Sequence, residues 1–438
     1  MLVVRAKGTR FLVNPVIVIP SYWSRTDDLV SVGDVGIYDH STPISKPLPE
    51  LETCLQSLEQ VRGVLRVIVL VVAPPTYAES ARARVNTICR AHPDLNPLVI
   101  GRNEAQQVMR AIDHVAPGLE GEPCSLRGYG AIRNMGLAVA AALGHDVVVF
   151  LDDDEVAIDE NFLIDAVYGI GLETRQGLPI QAKSGYYINR EGSPYADVNK
   201  PRWYDRWWSK REEFNEWMHA ALSGTRISRS NYVCGGCFAV GAEAFCSVAF
   251  DPLITRGEDL DYLINLRMYG FDVWFDNQWC VKHLPPKVPS HAARYLQNLY
   301  RWNYEVKKLA ASREIISLHH VTPESLRPYP AAWLDGRILK ARILRTTIAR
   351  AIAGPERRTY LEILFHGRAE AERWATSVAR DYFAFQTYWP RIMASLWNDR
   401  ALAHTLEKMG SPQPASQTTR RTAIGSLDDA LPMAGGID

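Results

Sequence analysis

Short, strongly apolar runs alternate with amphipathic segments over the first 290 residues of the chain. Apolar runs rich in Val and Ile and bounded by Gly, Pro or Asp predict strands that are buried on both faces of a sheet. Such runs cover residues 16–19, 65–72, 97–100, 147–150, 180–188, 232–240, 273–274 and 278–281. Apolar positions three and four residues apart predict helices over residues 51–58, 78–91, 104–114, 131–143 and 260–269. This alternation predicts an α/β fold with a doubly wound sheet.

From residue 290 onward the pattern changes to helices, predicted over residues 295–311, 331–353 and 357–396. Residues 411–438 are rich in Ser, Thr, Pro, Gln and Gly, a composition typical of disordered segments. We therefore expect an α/β domain over residues 1–289, a helical C-terminal region over 290–410 and a disordered tail over 411–438.

The predicted helix over residues 331–353 is strongly basic. It carries Arg337, Lys340, Arg342, Arg345 and Arg350, with Asp335 as the one nearby acid. A helix of this kind could make a peripheral contact with an anionic membrane surface. The alternatives are a solvated helix face or a contact between subunits of a homo-oligomer.

Four consecutive acids follow the apolar run of residues 147–151. In open α/β sheets ligands bind outside the carboxyl ends of the strands, and this is where these acids lie. Asp152 and Asp154 project to the same side of an extended segment, where their charges repel unless a cation or a shared proton relieves them. Carboxylate oxygens suit Mg²⁺ or Mn²⁺, so the run predicts a metal site, with a solvated acidic turn as the alternative.

Two further stretches are candidates for ligand contacts. Arg133 and Asn134 lie on the first turn of a predicted helix that opens with Gly128 and Gly130, a pattern that suits a diphosphate or sugar contact or an ordinary glycine-rich loop. The aromatic segment of residues 203–217 includes Trp207 and Trp208 and predicts either a stacking surface for sugar rings or a hydrophobic plug between domains.

Composition narrows the choice of partners and compartment. The 49 basic and 49 acidic residues balance, so no global field favours nucleic acid and we expect no nucleic-acid partner. The seven cysteines lack the regular spacing of a disulfide framework, which suits a reducing cytoplasm. Cys234 and Cys237 are interpreted as small residues at a tight spot rather than as a redox pair. No apolar stretch reaches the ~20 residues needed to span a bilayer, and we expect a cytoplasmic protein.

With these parts in place, the chain resembles nucleotide-sugar glycosyltransferases of the GT-A fold, most closely family 2 and its relatives. The resemblance covers residues 13–290 and implies a Rossmann-like, doubly wound mixed sheet. It rests on the order and spacing of the motifs VIVIPSY (16–22), AIRNMGL (131–137), FLDDD (150–154), GGCFAV (235–240), GED (257–259) and the late His283.

The resemblance also implies roles for individual residues. Asp152 and Asp154 match the DxD motif, with Asp154 on a divalent Mn²⁺ or Mg²⁺ and Asp152 on the metal or the donor ribose, while His283 matches a late metal ligand. Glu258 and Asp259 match the acidic pair before the acceptor-side helix, the second acid serving as general base in inverting members. The remaining donor-side candidates are Pro20, Ser21, Tyr22, Arg133, Asn134 and Asp153, and the remaining acceptor-side candidates are Trp207, Trp208, Gly235 and Gly236.

The implied activity is metal-dependent transfer of a hexose from a nucleoside-diphosphate sugar to a hydroxyl of a sugar, glycolipid or small molecule. The chain departs from family 2 in two places: residues 73–76 read APPT instead of an Asp-Asp-Gly-Ser turn, and residues 23–49 form a long loop, interpreted as a lid, in place of a short turn. Both departures leave the base of the nucleotide open. A haloacid-dehalogenase-type phosphatase and a non-catalytic carbohydrate-binding protein are the alternatives.

Overall fold

A computed structural model of the chain describes residues 2–6, 9–25, 41–119, 123–196, 202–286 and 290–412. Most of the loop predicted as a lid, including Tyr38 and His40, lies outside the described residues, as does the predicted tail from residue 413. Among the described helices, none has the length and apolar character needed to cross a membrane.

A mixed sheet forms the centre of the fold. The strands are β1 (Leu2–Ala6), β2 (Thr9–Val13), β3 (Pro15–Ser24), β4 (Thr42–Pro43), β5 (Val67–Val72), β6 (Pro97–Ile100), β7 (Val147–Phe150), β8 (Glu155–Ala157), β9 (Leu172–Glu173), β10 (Pro179–Ile180), β11 (Ala182–Ile188), β12 (Ile227–Arg229), β13 (Phe238–Gly241) and β14 (Val273–His283). The main sheet has the order β12-β14-β11-β13-β7-β3-β5-β6, with β4 beside β3 and β8 beside β14. The outer hairpins β1-β2 and β9-β10 pair separately.

Parallel pairing at the centre sets the position of the site. Strands β7, β3, β5 and β6 are parallel, whereas β13 runs antiparallel to both β7 and β11. Residues 16–19 of β3 and 147–150 of β7 are fully buried, because helices cover both faces of the sheet. The carboxyl ends of β3 and β7 therefore open at the same edge, which brings the segment after Ile19 beside the acid run.

The earlier helices cover both faces of the sheet, and the later ones form the C-terminal region. They are α1 (Glu50–Leu58), α2 (Ala78–Ala91), α3 (Arg102–Val115), α4 (Tyr129–Ala142), α5 (Phe162–Val167), α6 (Arg211–Leu222), α7 (Ala242–Ser247), α8 (Glu258–Met268), α9 (His291–Ser312), α10 (Ala331–Leu334), α11 (Gly336–Ala353), α12 (Arg357–Glu362), α13 (Arg368–Val378), α14 (Asp381–Gln386), α15 (Trp389–Leu396) and α16 (Arg400–Gly410). Short 3₁₀ turns occur at Pro93–Leu95, Arg206–Trp208 and Pro323–Leu326, and a π-helical turn spans Ile363–Gly367.

The C-terminal helices pack directly on the sheet domain. Helix α9 packs on α13, and α15 packs on α7, where the Trp389 indole donates to the Phe245 carbonyl at 2.8 Å. Helix α16 covers β6 and α3 at the far edge of the sheet. The predicted α/β fold with a helical C-terminal region is thus confirmed.

Several element boundaries differ from those that the sequence predicts. The strand predicted over 232–240 is limited to β13, because the Cys237 amide turns back to the Cys234 carbonyl at 2.9 Å. The two short strands predicted over 273–281 are one strand, β14, whose pairing with β11 shifts register between Ser184 and Tyr186. The helix predicted over 331–353 breaks at Asp335, which caps α11 by accepting from the amides of Arg337 and Ile338.

Candidate functional site

The acid run turns away from β7 at the open edge of the sheet. The Leu151 amide continues the ladder to the Val18 carbonyl at 3.1 Å, and the Glu155 amide then closes a turn on the Asp152 carbonyl at 3.1 Å. This turn leaves Asp152 partly exposed and buries the side chains of Asp154 and Glu155. Burial and the charges of Asp152 and Asp154 raise the pKa of Glu155 well above its usual value. Glu155, which the sequence interpretation did not single out, therefore favours its neutral form beneath the other acids.

Arg133 joins two of the predicted acidic motifs. From the second turn of α4 its guanidinium donates to Asp152 Oδ1 at 2.8 Å and to Glu258 Oε1 at 3.2 Å, and it lies 5.0 Å from the centre of the Phe150 ring. Burial opposes its charge, but the Asp152 and Glu258 carboxylates outweigh this and hold its pKa above the usual value. The structure thus brings the acid run and the start of α8 together around one buried cation.

The end of β3 lies on the other side of the acid run. Ser21 Oγ donates to Asp153 Oδ2 at 2.7 Å, which ties the two strand ends together. Pro20 is buried in β3, and Tyr22 is close enough to Arg133 for its pKa, raised mainly by burial, to be lowered in part by that charge. These three β3 residues and Asp153 therefore lie at the same end of the parallel strands.

Asn134 is placed differently from its sequence neighbour. It is fully buried, and its amide nitrogen donates to the carbonyls of Pro123 and Phe250, each at 2.9 Å. Its amide oxygen accepts from the Phe250 amide at 2.8 Å. Because these bonds engage its amide group inside the protein, Asn134 braces the backbone behind α4, and we leave it out of the donor site.

His283 and Asp154 approach each other where β14 passes the acid run. The register pairs His283 with Glu155 across β14 and β8, and the Leu284 amide donates to the Asp154 carbonyl at 2.8 Å. As a result His283 Nε2 lies 3.4 Å from Asp154 Oδ2. The described residues contain no cluster of three or more His, Cys, Asp or Glu side chains arranged to hold a metal ion. The two side-chain atoms that could bind a metal ion here are Asp154 Oδ2 and His283 Nε2.

The second acidic pair begins α8. Gly257 adopts a left-handed conformation (φ 66°) that turns the chain into the helix, and the Leu260 amide donates to Asp259 Oδ1 at 2.7 Å. A Cβ on Gly235 would lie 3.3 Å from the Asp259 Cβ and 3.2 Å from the Arg133 guanidinium, so this glycine permits a close approach. Gly236 is tighter still, since a Cβ there would overlap the Glu155 carboxylate.

A buried ion network that the sequence interpretation missed holds α8 in place. Lys308 of α9 donates to Asp251 at 2.7 Å and to Asp261 in the first turn of α8, and all three side chains are almost fully buried. Tyr304 adds a hydrogen bond to Asp251 at 2.7 Å. No local pattern marks Lys308, because its partners lie 47 and 57 residues away in sequence.

A cavity of about 760 Å³ lies beside the segment of residues 202–214. Its lining includes aromatic and cationic side chains, among them Tyr187, Trp208, Lys210, Arg211, Tyr232 and Arg350. The Tyr187 ring lies 5.1 Å from the His283 ring. Burial raises the pKa of Tyr187 to about 12, and the Asp259 charge contributes to the shift. Tyr187 thus connects this cavity to His283, although neither His283 nor Asp259 is among its lining residues.

The two predicted acceptor tryptophans face different spaces. Trp208 lines this cavity and packs edge-to-face on Tyr295 and Trp333, each at 4.8 Å between ring centres. Trp207 lines a separate cavity of about 470 Å³, with the Arg206 guanidinium 4.0 Å from its ring centre. The structure thus places Trp208 and Trp207 in two separate cavities.

The cysteine pair beside Gly235 and Gly236 is not oxidised. Cys234 and Cys237 are both buried free thiols. The other five cysteines are also free; three of them are buried, and Cys246 and Cys280 are partly buried. Burial raises the pKa of both thiols well above its usual value, which disfavours the reactive thiolate.

No protein-family model matches this sequence, and no curated protein sequence matches it. Solved structures similar to the chain include the mannosyltransferase PcManGT from Pyrobaculum calidifontis in complex with GDP-Man and Mn²⁺, with 15% identity over 91% of this chain and 88% of that one and a TM-score of 0.39. A mycobacterial protein matches with 16% identity over 66% of this chain and 74% of the other (TM-score 0.34). GalNAc-T7 with UDP, GalNAc and Mn²⁺ matches with 11% identity over 70% of this chain and 52% of the other (TM-score 0.34). The chain is a mixed α/β protein with a central mixed sheet and a helical C-terminal region.

Proposed function

We propose that this chain is a metal-dependent glycosyltransferase that moves a hexose from a nucleoside-diphosphate sugar to a hydroxyl acceptor. The observation that supports this most directly is the meeting of two acidic motifs around Arg133, which contacts Asp152 at 2.8 Å and Glu258 at 3.2 Å. Those motifs come from segments more than 100 residues apart and converge at the carboxyl edge of the parallel strands. That edge is where ligands bind in open α/β sheets.

The donor is assigned to the β3 side of the edge. Pro20, Ser21 and Tyr22 end β3 beside the acid run, and Ser21 holds Asp153 by a hydrogen bond of 2.7 Å. We assign the base and ribose of the nucleotide to this strand end. We also assign Asp152, which accepts from Arg133, to the donor, whereas Asp154 lies beside His283.

Asp154 and His283 are the residues that would hold a metal ion. Their side chains come within 3.4 Å of each other, and Mg²⁺ or Mn²⁺ is usually held by one or two protein ligands together with the phosphates of a substrate. An imidazole nitrogen is a better ligand for Mn²⁺ than for Mg²⁺, so of these two ions the pair suits Mn²⁺ better. When bound, the ion would neutralise the charge of the leaving diphosphate.

The acceptor is assigned to the α8 side of the edge. Asp259 lies at the amino end of α8, where the helix dipole stabilises its negative charge, and Gly235 leaves room beside it. We assign Asp259 as the base that takes the proton from the attacking hydroxyl, and the aromatic wall of Trp208 and the neighbouring tyrosines to acceptor binding. Glu258, whose pKa is raised by burial despite the nearby Arg133, positions that arginine.

A thermal-shift panel tests whether the chain binds a nucleoside diphosphate, which the proposal requires. The chain is mixed with UDP, GDP, ADP, CDP or TDP, each in Mn²⁺, Mg²⁺ or EDTA, and the melting temperature is followed. Ligands that bind only the native state raise its stability, by about 2.7 kcal/mol at a hundred times Kd. We expect a rise for one nucleotide with Mn²⁺. No rise with any nucleotide, together with release of phosphate from simple esters, would instead support a phosphatase.

Replacing His283 with Ala separates a metal ligand from a packing residue. A lost ligand is expected to weaken Mn²⁺-dependent nucleotide binding by more than about tenfold, which corresponds to 1.4 kcal/mol. The half-buried imidazole fills little core, so the melting temperature of the metal-free protein should change little. Titration calorimetry with Mn²⁺ and a melting curve in EDTA measure both effects.

His320→Ala is the matched control, because His320 is exposed and remote from the acid run in sequence. It should leave both measurements unchanged. Unaltered Mn²⁺ affinity in His283→Ala, combined with a clear loss of metal-free stability, would assign His283 to packing against Tyr187.

A further inference from the structure

Helix α11 carries large apolar side chains on two of its sides, one buried and one exposed. Its inner side buries Leu339, Ile343 and Ala349 against the rest of the protein. A surface helix normally turns a polar face to water, and one that is apolar all round is normally covered all round. The outer side of α11 instead exposes several large apolar side chains with cations between them.

The exposed apolar side chains continue onto the next two elements. Exposed fractions are 45% for Ile338, 40% for Leu344, 40% for Ile348, 63% for Ile352, 43% for Leu361 and 70% for Phe365. At 100° per residue the four positions on α11 fall within about 120° of its circumference. Helix α12 and the following π-helical turn pack against α11 and add Leu361 and Phe365. We call these six side chains, with the exposed cations among them, the α11 face.

The charges on the α11 face are mostly positive. Its exposed cations are Arg337, Lys340, Arg345, Arg357 and Arg358. Lys340 pairs with Glu372 at 2.7 Å, and Arg345 lines the cavity of Trp207 together with Glu212 and Glu213. Two exposed acids lie in the same stretch, Glu356 and Glu362, and Glu356 is held by the Ser290 hydroxyl at 2.6 Å. The long stems of Arg and Lys can lie along apolar surface while their charged ends stay in water or reach a headgroup.

We propose that the α11 face lies on an anionic membrane surface, with its apolar side chains entering the boundary between headgroups and acyl chains. Amphipathic surfaces bind membranes through the sum of buried apolar area and attraction of their cations to anionic lipids. A second copy of the chain fits less well. A twofold contact places the same patch on both partners, so these cations would face one another.

Co-sedimentation of the full chain with vesicles tests this proposal without any measure of activity. We compare phosphatidylcholine vesicles with vesicles of phosphatidylcholine and phosphatidylglycerol, at low and high salt. Binding is expected only to the anionic vesicles and is expected to weaken with salt. Replacing Arg337 and Arg345 together with Gln should weaken it at least about tenfold, since each cation near such a surface contributes to binding. Replacing Ile348 and Ile352 together with Glu should abolish it.

Ile316→Glu is the matched control, because Ile316 is fully exposed but lies outside the α11 face. It should bind as the unaltered chain does, and melting curves show that all variants are folded. Equal sedimentation with both vesicle types, no sedimentation with either, or unchanged binding of the Ile348 and Ile352 double variant would overturn the proposal. So would a dimer in light scattering that the same double variant dissociates, because the α11 face would then contact a second copy.

Discussion

Asp259→Asn is expected to lower kcat by ~10²–10⁴-fold, the range that general base catalysis contributes. The Leu260 amide already holds Asp259 Oδ1 at 2.7 Å, and an Asn oxygen can accept the same bond. The substitution therefore removes the capacity to take a proton while keeping the shape of the turn. Asp259 does not contact Arg133 by an ion pair, unlike Glu258 and Asp152, so donor binding should remain nearly intact. Steady-state kinetics with donor and acceptor varied separately measure both quantities.

Asp261→Asn provides the contrast two residues further along α8. Its carboxylate is buried against Lys308, in the network that includes Asp251. Its loss should lower the free energy of unfolding, because it weakens the compensation of a buried charge, and should affect kcat less. Urea unfolding of the two variants measures this difference. An unchanged kcat in Asp259→Asn would remove it from the base role and favour a retaining mechanism, in which the leaving phosphate can take the proton.

Local signals in the sequence are sufficient to predict the secondary structure at the centre of the fold. Residues 147–150 predict a strand because an unbroken β-branched run can be satisfied only by burial on both faces, and the structure confirms it as β7. The predicted helix over 78–91 and the predicted strand over 97–100 match α2 and β6. Each of these elements has its own hydrophobic periodicity and its own boundary residues, so no distant contact is needed to predict it.

Long-range pairing is what the sequence could not supply. Nothing near Arg133 indicates that Glu258, 125 residues away, accepts from its guanidinium. The amide of Asn134 is likewise occupied by the Phe250 backbone, 116 residues away, which turned a candidate ligand contact into a buried brace. Candidate residue types could be read from the motifs, but which of them face the same space depends on the packed fold.

The C-terminal helices show the same limit at their ends. The stretch predicted as one helix over 357–396 contains a π-helical turn at Ile363–Gly367, and it divides at Ala379–Arg380 and again before Trp389. The aromatic side chains of Tyr382, Phe385 and Trp389 beside these breaks are buried. Helix α16 was missed although a signal was present. Asp399 caps it by accepting from two backbone amides, and Leu402 and Leu406 are four residues apart on its buried side.

Asp154→Asn is expected to abolish the dependence of nucleotide binding on a divalent ion. The Asp154 carboxylate is buried next to His283 Nε2, and an amide is a much weaker ligand because it carries no charge to offset the desolvation of the cation. Affinity for the nucleoside diphosphate is measured by calorimetry in Mn²⁺ and in EDTA. The unaltered chain should bind at least about tenfold more tightly in Mn²⁺, a difference of 1.4 kcal/mol, and the variant should bind equally in both.

The adjacent acid gives a control of the same charge. Asp153→Asn removes one carboxylate from the same run, but Asp153 accepts from Ser21 on the β3 side rather than facing His283. Its loss should weaken nucleotide binding in Mn²⁺ and EDTA alike and so preserve the ratio between them. Equal affinity of the unaltered chain in the two conditions would contradict the metal site at Asp154. A ratio lost in both variants would show that the run acts through its total charge, because any one of its carboxylates would then serve.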